Sequence, residues 1–143
     1  KETGLEEAGY VTSESFFGDR VPKTPGKSVV IVGGGAIGAE FAHIFSAVGT
    51  KVILAVRSET LLRGFDGDIG PFVGRELGAA GVRVLYYAQA QSIRRENGLK
   101  TVEFRDARSG ERYEVSAQEV FIASGIVPNR DRLNLASAQV ETD

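Results

Sequence analysis

The sequence predicts an α/β fold in which a parallel sheet, built from βαβ units, is joined to a three-stranded antiparallel β-meander. A β-branched apolar run at Val29–Val32 leads through three glycines into a segment with helical periodicity, and a second apolar run, Lys51–Val56, follows it. Apolar runs without alternation are typical of strands buried on both faces of a parallel sheet. From Gln91 onward apolar and polar residues alternate, which indicates antiparallel strands.

Residues 1–27 are predicted to be a connector, because acidic residues are interspersed there with glycines and prolines that break any regular period. The first strand begins after it, and the first helix follows the three glycines. The helix is expected to end at Gly49, a residue type that often terminates helices. Its predicted buried stripe consists of Ile37, Phe41, Ile44, Phe45 and Val48.

A second helix is predicted over Asp68–Ala80, with Asp68 as its N-cap. This prediction depends on periodicity, since the glycines within the span each weaken a helix by up to about 1 kcal/mol. The expected buried stripe is Ile69, Phe72, Val73, Leu77 and Ala80. A third buried strand, Arg83–Tyr87, follows it, and Tyr86 and Tyr87 are expected to pack at its end.

The predicted meander consists of three alternating segments, Gln91–Glu96, Thr101–Asp106 and Glu111–Ser116. Asn97-Gly98 and Ser109-Gly110 supply its two hairpin turns. A last buried strand at Val120–Ala123 returns to the parallel sheet and ends at Ser124-Gly125.

The composition disfavours several classes of function. There are 17 basic and 19 acidic residues, for a net charge of −2, so no nucleic-acid partner is expected. No apolar run reaches the roughly 18 residues of a membrane span. The chain has no Cys, which excludes thiol redox chemistry within it and suits a cytoplasmic location. It begins with Lys and contains no Met, so we expect it to be part of a longer protein.

The glycine turn carries the strongest functional signal. The motif Gly-x-Gly-x-x-Gly occupies Gly33–Gly38, between a predicted strand and a predicted helix, and in that context it predicts a dinucleotide-binding site. Gly33 permits the tight turn, Gly35 admits a pyrophosphate close to the backbone, and Gly38 lets the helix pack close to the strand. The helix N-terminus offers N–H groups and a positive dipole to the phosphates. The alternative is a tight turn without a ligand.

The end of the second strand indicates which dinucleotide is expected. An NAD site usually has Asp or Glu there, to accept hydrogen bonds from the ribose hydroxyls. Here the position is Val56, followed by Arg57, Ser58 and Arg63. Guanidinium groups bind a 2′-phosphate through charge-assisted hydrogen bonds, and the serine hydroxyl can donate another. The sequence therefore favours NADPH over NADH. The alternative is that both arginines are solvated surface charges, one of them paired with Glu59.

Three stretches of the chain resemble the central nucleotide domain of the flavin-dependent pyridine nucleotide-disulfide oxidoreductases. They are Gly33–Glu40, Val56–Arg63 and Ala123–Asn129, and the resemblance extends to the segment Tyr10–Ser13. It covers nearly the whole chain. The resemblance implies a Rossmann-like parallel sheet, in agreement with the elements predicted above.

The resemblance implies a domain that binds NADPH and presents its nicotinamide for hydride transfer to FAD, with the FAD bound mainly outside these residues. Residues 1–27 would then connect from the FAD domain, residues 28–125 would form the NAD(P)H-binding domain, and residues 126–143 would return toward the FAD domain. The implied partners are that FAD domain and a dimer-interface domain of the same chain, in a homodimer. On their own, these 143 residues are expected to be inactive.

The resemblance also adds residues to the site. Glu40 matches a family glutamate near the flavin and nicotinamide, and Ala123–Gly125 matches a segment whose backbone passes close to the nicotinamide. The predicted cofactor-binding residues are thus Gly33, Gly35, Ala36, Ile37, Gly38, Glu40, Arg57, Ser58, Arg63, Ser124 and Gly125. Apart from the flavin-side role implied for Glu40, no catalytic residue and no metal ligand is predicted.

Two positions depart from the family pattern. Ala36 stands where some members have a bulky aromatic residue over the nicotinamide pocket, and Ile126 stands where many have arginine. We therefore expect a pocket that is more open, or is filled from elsewhere, and no ionic contact from position 126.

Other functions stay open from the sequence. The domain can be a regulatory module that senses a dinucleotide without hydride transfer. The glycine turn can instead bind the ADP moiety of FAD, although Val56 lacks the carboxylate that FAD sites also use. The electron acceptor, whether a glutathione-like disulfide, mercuric ion or another thiol, is not determined by these residues.

Three polar residues are interpreted without a catalytic role. His43 lies off the apolar stripe of its helix and has no nucleophile signature beside it, so we expect it to face solvent or another domain. Asp66 and Asp68 are spaced for a helix N-terminus and do not form a metal set, so capping is the preferred interpretation.

Overall fold

A computed structural model of the chain describes residues 3–17, 26–126 and 133–141. Within them, four strands form a parallel sheet and three form an antiparallel sheet. The parallel strands are β1 (Ser28–Val32), β2 (Lys51–Ala55), β3 (Arg83–Leu85) and β7 (Glu119–Ile122), and the antiparallel strands are β4 (Ala88–Glu96), β5 (Leu99–Asp106) and β6 (Arg112–Ala117). The helices are α1 (Leu5–Ala8), α2 (Ser13–Phe16), α3 (Ala36–Ala47) and α4 (Ile69–Ala79), with a 3₁₀ turn at Leu135–Ala138. This confirms the predicted α/β fold. None of the described helices has the length and apolar character needed to cross a membrane.

The parallel sheet has the strand order β3-β2-β1-β7, which places β1 in the middle. Its side chains point alternately to two apolar clusters. Val29 and Ile31 face α3 and α4, whereas Val30 and Val32 face the antiparallel sheet. Because both faces of β1 are covered, its sequence is continuously apolar, as predicted.

The helices bury narrower stripes than their sequences predict. On α3, Phe41 is buried and Phe45 half-buried, but Ile44 and Val48 are 40% and 52% exposed. On α4, Leu77 is buried and Val73 half-buried. The remaining residues of its predicted stripe, Ile69, Phe72 and Ala80, are exposed. The prediction was wrong for these five residues, because each helix contacts the sheet along only part of its apolar face.

Asp68 precedes α4, but it makes no capping hydrogen bond through its side chain. Its backbone is helical, with φ −87° and ψ −22°, whereas a residue that caps through its side chain is normally extended. The predicted side-chain cap is therefore wrong. Gly49, in contrast, has φ +85° just beyond α3 and ends that helix as predicted.

The strand ends differ from the prediction near Tyr87. This residue has φ +57°, which breaks the strand, so β3 ends at Leu85. The next strand, β4, begins earlier than predicted, because Ala88 already pairs with Asp106 of β5. The connector is also more regular than predicted. It contains α1 and α2, and Thr3 and Val11 form bridges to Ser92 and Phe121.

Phe121→Ala is expected to lower the free energy of unfolding by about 3–5 kcal/mol, the usual cost of removing a buried phenylalanine. Phe121 is fully buried in β7, with its ring centroid 4.3 Å from that of Phe41. Urea unfolding followed by circular dichroism measures the change. Phe17→Ala is the control: Phe17 is 71% exposed, and its removal should cost about 1 kcal/mol or less. Equal losses in the two variants would contradict the assigned core.

Candidate functional site

A cleft of about 680 Å³ opens at the carboxyl ends of β1, β2 and β7. The chain passes from β1 to β2 on one side, while β7 lies on the other side of β1. Ligands of open α/β sheets bind in the crevice at such a switch in strand order. The cleft is lined by Val32, Gly33, Gly34, Gly35, Ala55, Val56, Arg57, Ser58, Thr60, Arg63, Gly64, Ala88, Gln89, Ala90, Gln91, Ala123, Ser124 and Gly125.

Gly33 forms the sharp turn between β1 and α3. Its φ is +127°, which favours glycine, and a Cβ atom there would overlap the carbonyl oxygen of Ala123 at the end of β7. Its N–H donates to the carbonyl oxygen of Ala55 at 2.9 Å. The turn is therefore tied to both neighbouring strands, in agreement with the role predicted for Gly33.

Close packing requires a glycine at position 38 but not at position 35. A Cβ atom on Gly38 would overlap the carbonyl oxygen of Gly33, so Gly38 lets α3 pack directly on the turn. A Cβ atom on Gly35 would meet nothing within 4 Å, and its φ of −80° suits any residue. No contact within the described residues thus requires a glycine at position 35, and the open space in front of it is where the sequence predicts a pyrophosphate.

The segment 57–63, here named the arginine loop, forms another wall of the cleft. Arg57 and Arg63 both line the cleft and are both exposed. Within residues 3–17, 26–126 and 133–141, neither guanidinium forms a salt bridge, and Glu59 pairs with neither. Two cations thus face a cleft in which none of the described lining residues is acidic.

Ser58 lines the cleft, but its hydroxyl already donates to the carbonyl oxygen of Thr60 at 2.8 Å. The additional hydrogen bond that the sequence predicts from Ser58 to a phosphate would require this internal bond to break. The hydroxyl oxygen remains able to accept a hydrogen bond.

Seven of the predicted cofactor-binding residues line the cleft, namely Gly33, Gly35, Arg57, Ser58, Arg63, Ser124 and Gly125. The other four lie along α3. Ala36 and Ile37 form its first turn, Gly38 packs behind the glycine turn, and Glu40 is exposed one turn further on. The binding roles of all eleven residues stay predictions.

One wall of the cleft, formed by Gln89, Ala90 and Gln91, is not among the residues that the sequence predicts for the site. These residues belong to β4, which was predicted to begin only at Gln91. The earlier start is set by long-range contacts, because Ala88 already pairs with Asp106 of β5, and its N–H donates to the carbonyl oxygen of Val56 at 2.9 Å. No local pattern in the sequence indicates such a bond. Thr60 and Gly64 are also not among the predicted residues, although they lie within and beside the arginine loop.

The residues that depart from the family pattern are both exposed. Ala36 is exposed at the start of α3, and Ile126 is 79% exposed beyond the end of β7. His43 is exposed on α3, as expected, and does not line the cleft.

The chain belongs to the pyridine nucleotide-disulphide oxidoreductase family, whose model matches residues 3–143. It is 31% identical over 140 residues to a mercuric reductase of Lysinibacillus sphaericus, and 36% identical over 137 residues to a glutathione reductase of Nostoc sp.. These alignments cover 98% and 94% of this chain but 25% and 28% of the relatives. The chain thus spans about a quarter of the length of the curated relatives it matches.

Two solved structures share the fold. The HOCl-induced flavoprotein disulfide reductase RclA from Escherichia coli, as a Cu(II) complex, has a TM-score of 0.82 and 24% identity, over 99% of this chain and 30% of that protein. An engineered water-forming NADPH oxidase bound to NADPH has a TM-score of 0.68 and 24% identity, over 82% of this chain and 24% of the oxidase.

Gly38→Ala is expected to lower the free energy of unfolding by about 1–3 kcal/mol, toward the upper end of that range, because the added methyl group overlaps a backbone carbonyl that cannot move independently. Gly35→Ala is the matched variant, three residues earlier in the same turn. It should cost at most about 1 kcal/mol, the difference between glycine and alanine at a helix N-cap. Urea unfolding measures both, and equal stabilities would contradict the packing assigned to Gly38.

Proposed function

We propose that this chain is the NADPH-binding domain of a flavin-dependent disulfide or related oxidoreductase, and that it presents nicotinamide for hydride transfer to FAD. The proposal depends on one observation: the glycine turn and two arginines line the same cleft, and neither arginine has an acidic partner among the described residues. Residues 28–125 would be the binding domain. Residues 1–27 and 126–143 would connect it to an FAD domain.

The pyrophosphate site is proposed at the first turn of α3. Gly35 leaves open space in front of this turn, and the N–H groups at the start of a helix have no partner within the helix. The helix dipole adds roughly half a positive charge at the same place. These backbone groups can hold the pyrophosphate of either NADPH or NADH, so they contribute affinity for both cofactors and no selectivity between them.

The choice between the cofactors is assigned to the arginine loop. The side chain of Val56 is buried and has no acceptor for ribose hydroxyls, whereas Arg57 and Arg63 line the cleft and would bind a 2′-phosphate. No acidic residue among the described lining repels that phosphate. The charge of the cleft wall therefore favours the phosphorylated ribose.

The engineered NADPH oxidase provides a local parallel. Four of its five substitutions replace an aspartate with alanine, the next two residues with arginine and serine, and a proline further along with a second arginine; the fifth replaces a glycine with alanine. This chain has an apolar residue, arginine, serine and a second arginine in the same succession, at Val56, Arg57, Ser58 and Arg63. The parallel supports the proposed NADPH preference.

The nicotinamide end is assigned to the other side of the cleft. Ser124 and Gly125 line it after β7, and Glu40 is exposed on α3, where it can face a second domain. Bound NADPH would supply the hydride and FAD would accept it. This chain's own part is to hold and orient the dinucleotide. An FAD domain and a dimer-interface domain, in a homodimer, are the proposed partners, in keeping with the greater length of the relatives.

Titration calorimetry of the protein with NADPH and with NADH tests the proposal. We expect NADPH to bind at least tenfold more tightly, because only NADPH carries the 2′-phosphate that the arginines bind. Equal affinities, or tighter binding of NADH, would refute the proposed binding of the 2′-phosphate by Arg57 and Arg63. Binding of neither nucleotide would refute the proposed function as a whole.

Arg57→Ala is expected to weaken NADPH binding by about 1.5–3 kcal/mol, the range for hydrogen bonds to a charged group, and to leave NADH binding nearly unchanged. The matched control is Arg95→Ala, which removes an exposed arginine on β4 that does not line the cleft. It should leave both affinities within about twofold, a difference below 0.5 kcal/mol. If Arg57→Ala weakens both cofactors equally, Arg57 stacks on adenine or has only a structural role.

A further inference from the structure

A buried leucine fixes the position of the arginine loop. Leu61 lies between Arg57 and Arg63 in the sequence, yet it is fully buried while both arginines are exposed. Its side chain belongs to the apolar cluster between the parallel sheet and the helices. The N–H of the next residue, Leu62, donates to the carbonyl oxygen of Gly34 at 2.8 Å. The loop is thus attached to the glycine turn by both a side chain and the backbone.

Two glycines from different elements make room for this attachment. A Cβ atom on Gly34 would lie 3.2 Å from Cδ2 of Leu61 and 2.6 Å from Cγ1 of Val56. A Cβ atom on Gly70, in the first turn of α4, would overlap the carbonyl oxygen of Leu61 and the hydroxyl of Thr60. Neither glycine has a left-handed φ, so the close contact, and not the backbone conformation, accounts for glycine at these positions.

Hydrogen bonds connect Leu61 to the residues that follow Arg57. The hydroxyl of Thr60 donates to the carbonyl oxygen of Leu61 at 3.1 Å, and that of Ser58 donates to the carbonyl oxygen of Thr60 at 2.8 Å. The N–H of Tyr87 donates to the carbonyl oxygen of Ser58 at 3.2 Å. The loop is therefore a small connected unit with Leu61 as its anchor.

We propose that Leu61 and Gly70 are positioning residues for cofactor selectivity. Neither lines the cleft, but together they set how far the two guanidinium groups lie from the glycine turn. A displaced loop loses contact with the 2′-phosphate, which only NADPH carries. The pyrophosphate contacts at the start of α3, which both cofactors share, stay in place. This inference rests on the proposed NADPH function.

The test compares two glycines of α4 in the full-length protein. Gly70→Ala should weaken NADPH binding at least fivefold and NADH binding less than twofold, because the added methyl group pushes against the backbone of the loop. Gly78→Ala is the matched control, since a Cβ atom there would meet nothing within 4 Å. It should leave both affinities within twofold. Calorimetry measures the affinities, and circular dichroism establishes that each variant is folded.

A second pair of variants keeps the inference testable if Gly70→Ala does not fold. Leu61→Val shortens the anchor and should lower the ratio of NADPH to NADH affinity at least threefold. Leu61→Met keeps its length and should restore most of that ratio. An unchanged ratio in the folded variants, or equal weakening of both cofactors, would overturn the positioning role. Failure of the unsubstituted protein to bind NADPH would instead overturn the proposed function.

Discussion

The architecture of the cleft depends on a close backbone contact at the glycine turn. The end of β1, the first turn of α3 and the end of β7 approach one another so closely that a side chain at Gly33 would overlap Ala123, and one at Gly38 would overlap the carbonyl of Gly33. This contact brings the N-terminus of α3 to the mouth of the cleft, where its N–H groups and dipole are available to an anion. The other walls of the cleft are attached to the same turn. The N–H of Leu62 donates to the carbonyl oxygen of Gly34, and the N–H of Ala123 donates to the carbonyl oxygen of Val32.

The described residues contribute backbone groups and fixed charges to the proposed function. The proposed pyrophosphate site consists of main-chain N–H groups, and the two arginines supply the only charged side chains among the described lining of the cleft. Such a surface can select and orient a dinucleotide, while the chemistry of hydride transfer is carried by the cofactors themselves. Membership of the pyridine nucleotide-disulphide oxidoreductase family agrees with this division of roles. The glycine turn and the arginine loop, to which the proposal assigns these two tasks, are held by packing behind the cleft, at Gly38 and Leu61.

The sequence predicts the order of elements and much of the cleft because these follow from local patterns. The apolar runs, the glycine motif and the arginines after Val56 are all readable from neighbouring residues. Features fixed by long-range contacts are not readable in this way. The exposure of Ile44 and Val48 depends on how α3 lies on the sheet, and the wall at Gln89–Gln91 depends on the pairing of Ala88 with Asp106. The fit of Leu61 between Gly34 and Gly70 joins three separate elements, so no sequence window reveals it.

Amide hydrogen exchange, with and without bound nucleotide, tests the central claim most directly, because it reports the site residue by residue. With NADP⁺, we expect slower exchange at Gly35–Ile37 and throughout residues 57–63, and no change in the hairpin between β5 and β6. With NAD⁺, the Gly35–Ile37 segment should slow, but residues 57–63 should not. Protection of both segments by both nucleotides would contradict the division of the cleft into a shared pyrophosphate site and a selective arginine loop. If neither nucleotide slowed exchange at Gly35–Ile37, the proposal that this cleft binds the nucleotide would be contradicted.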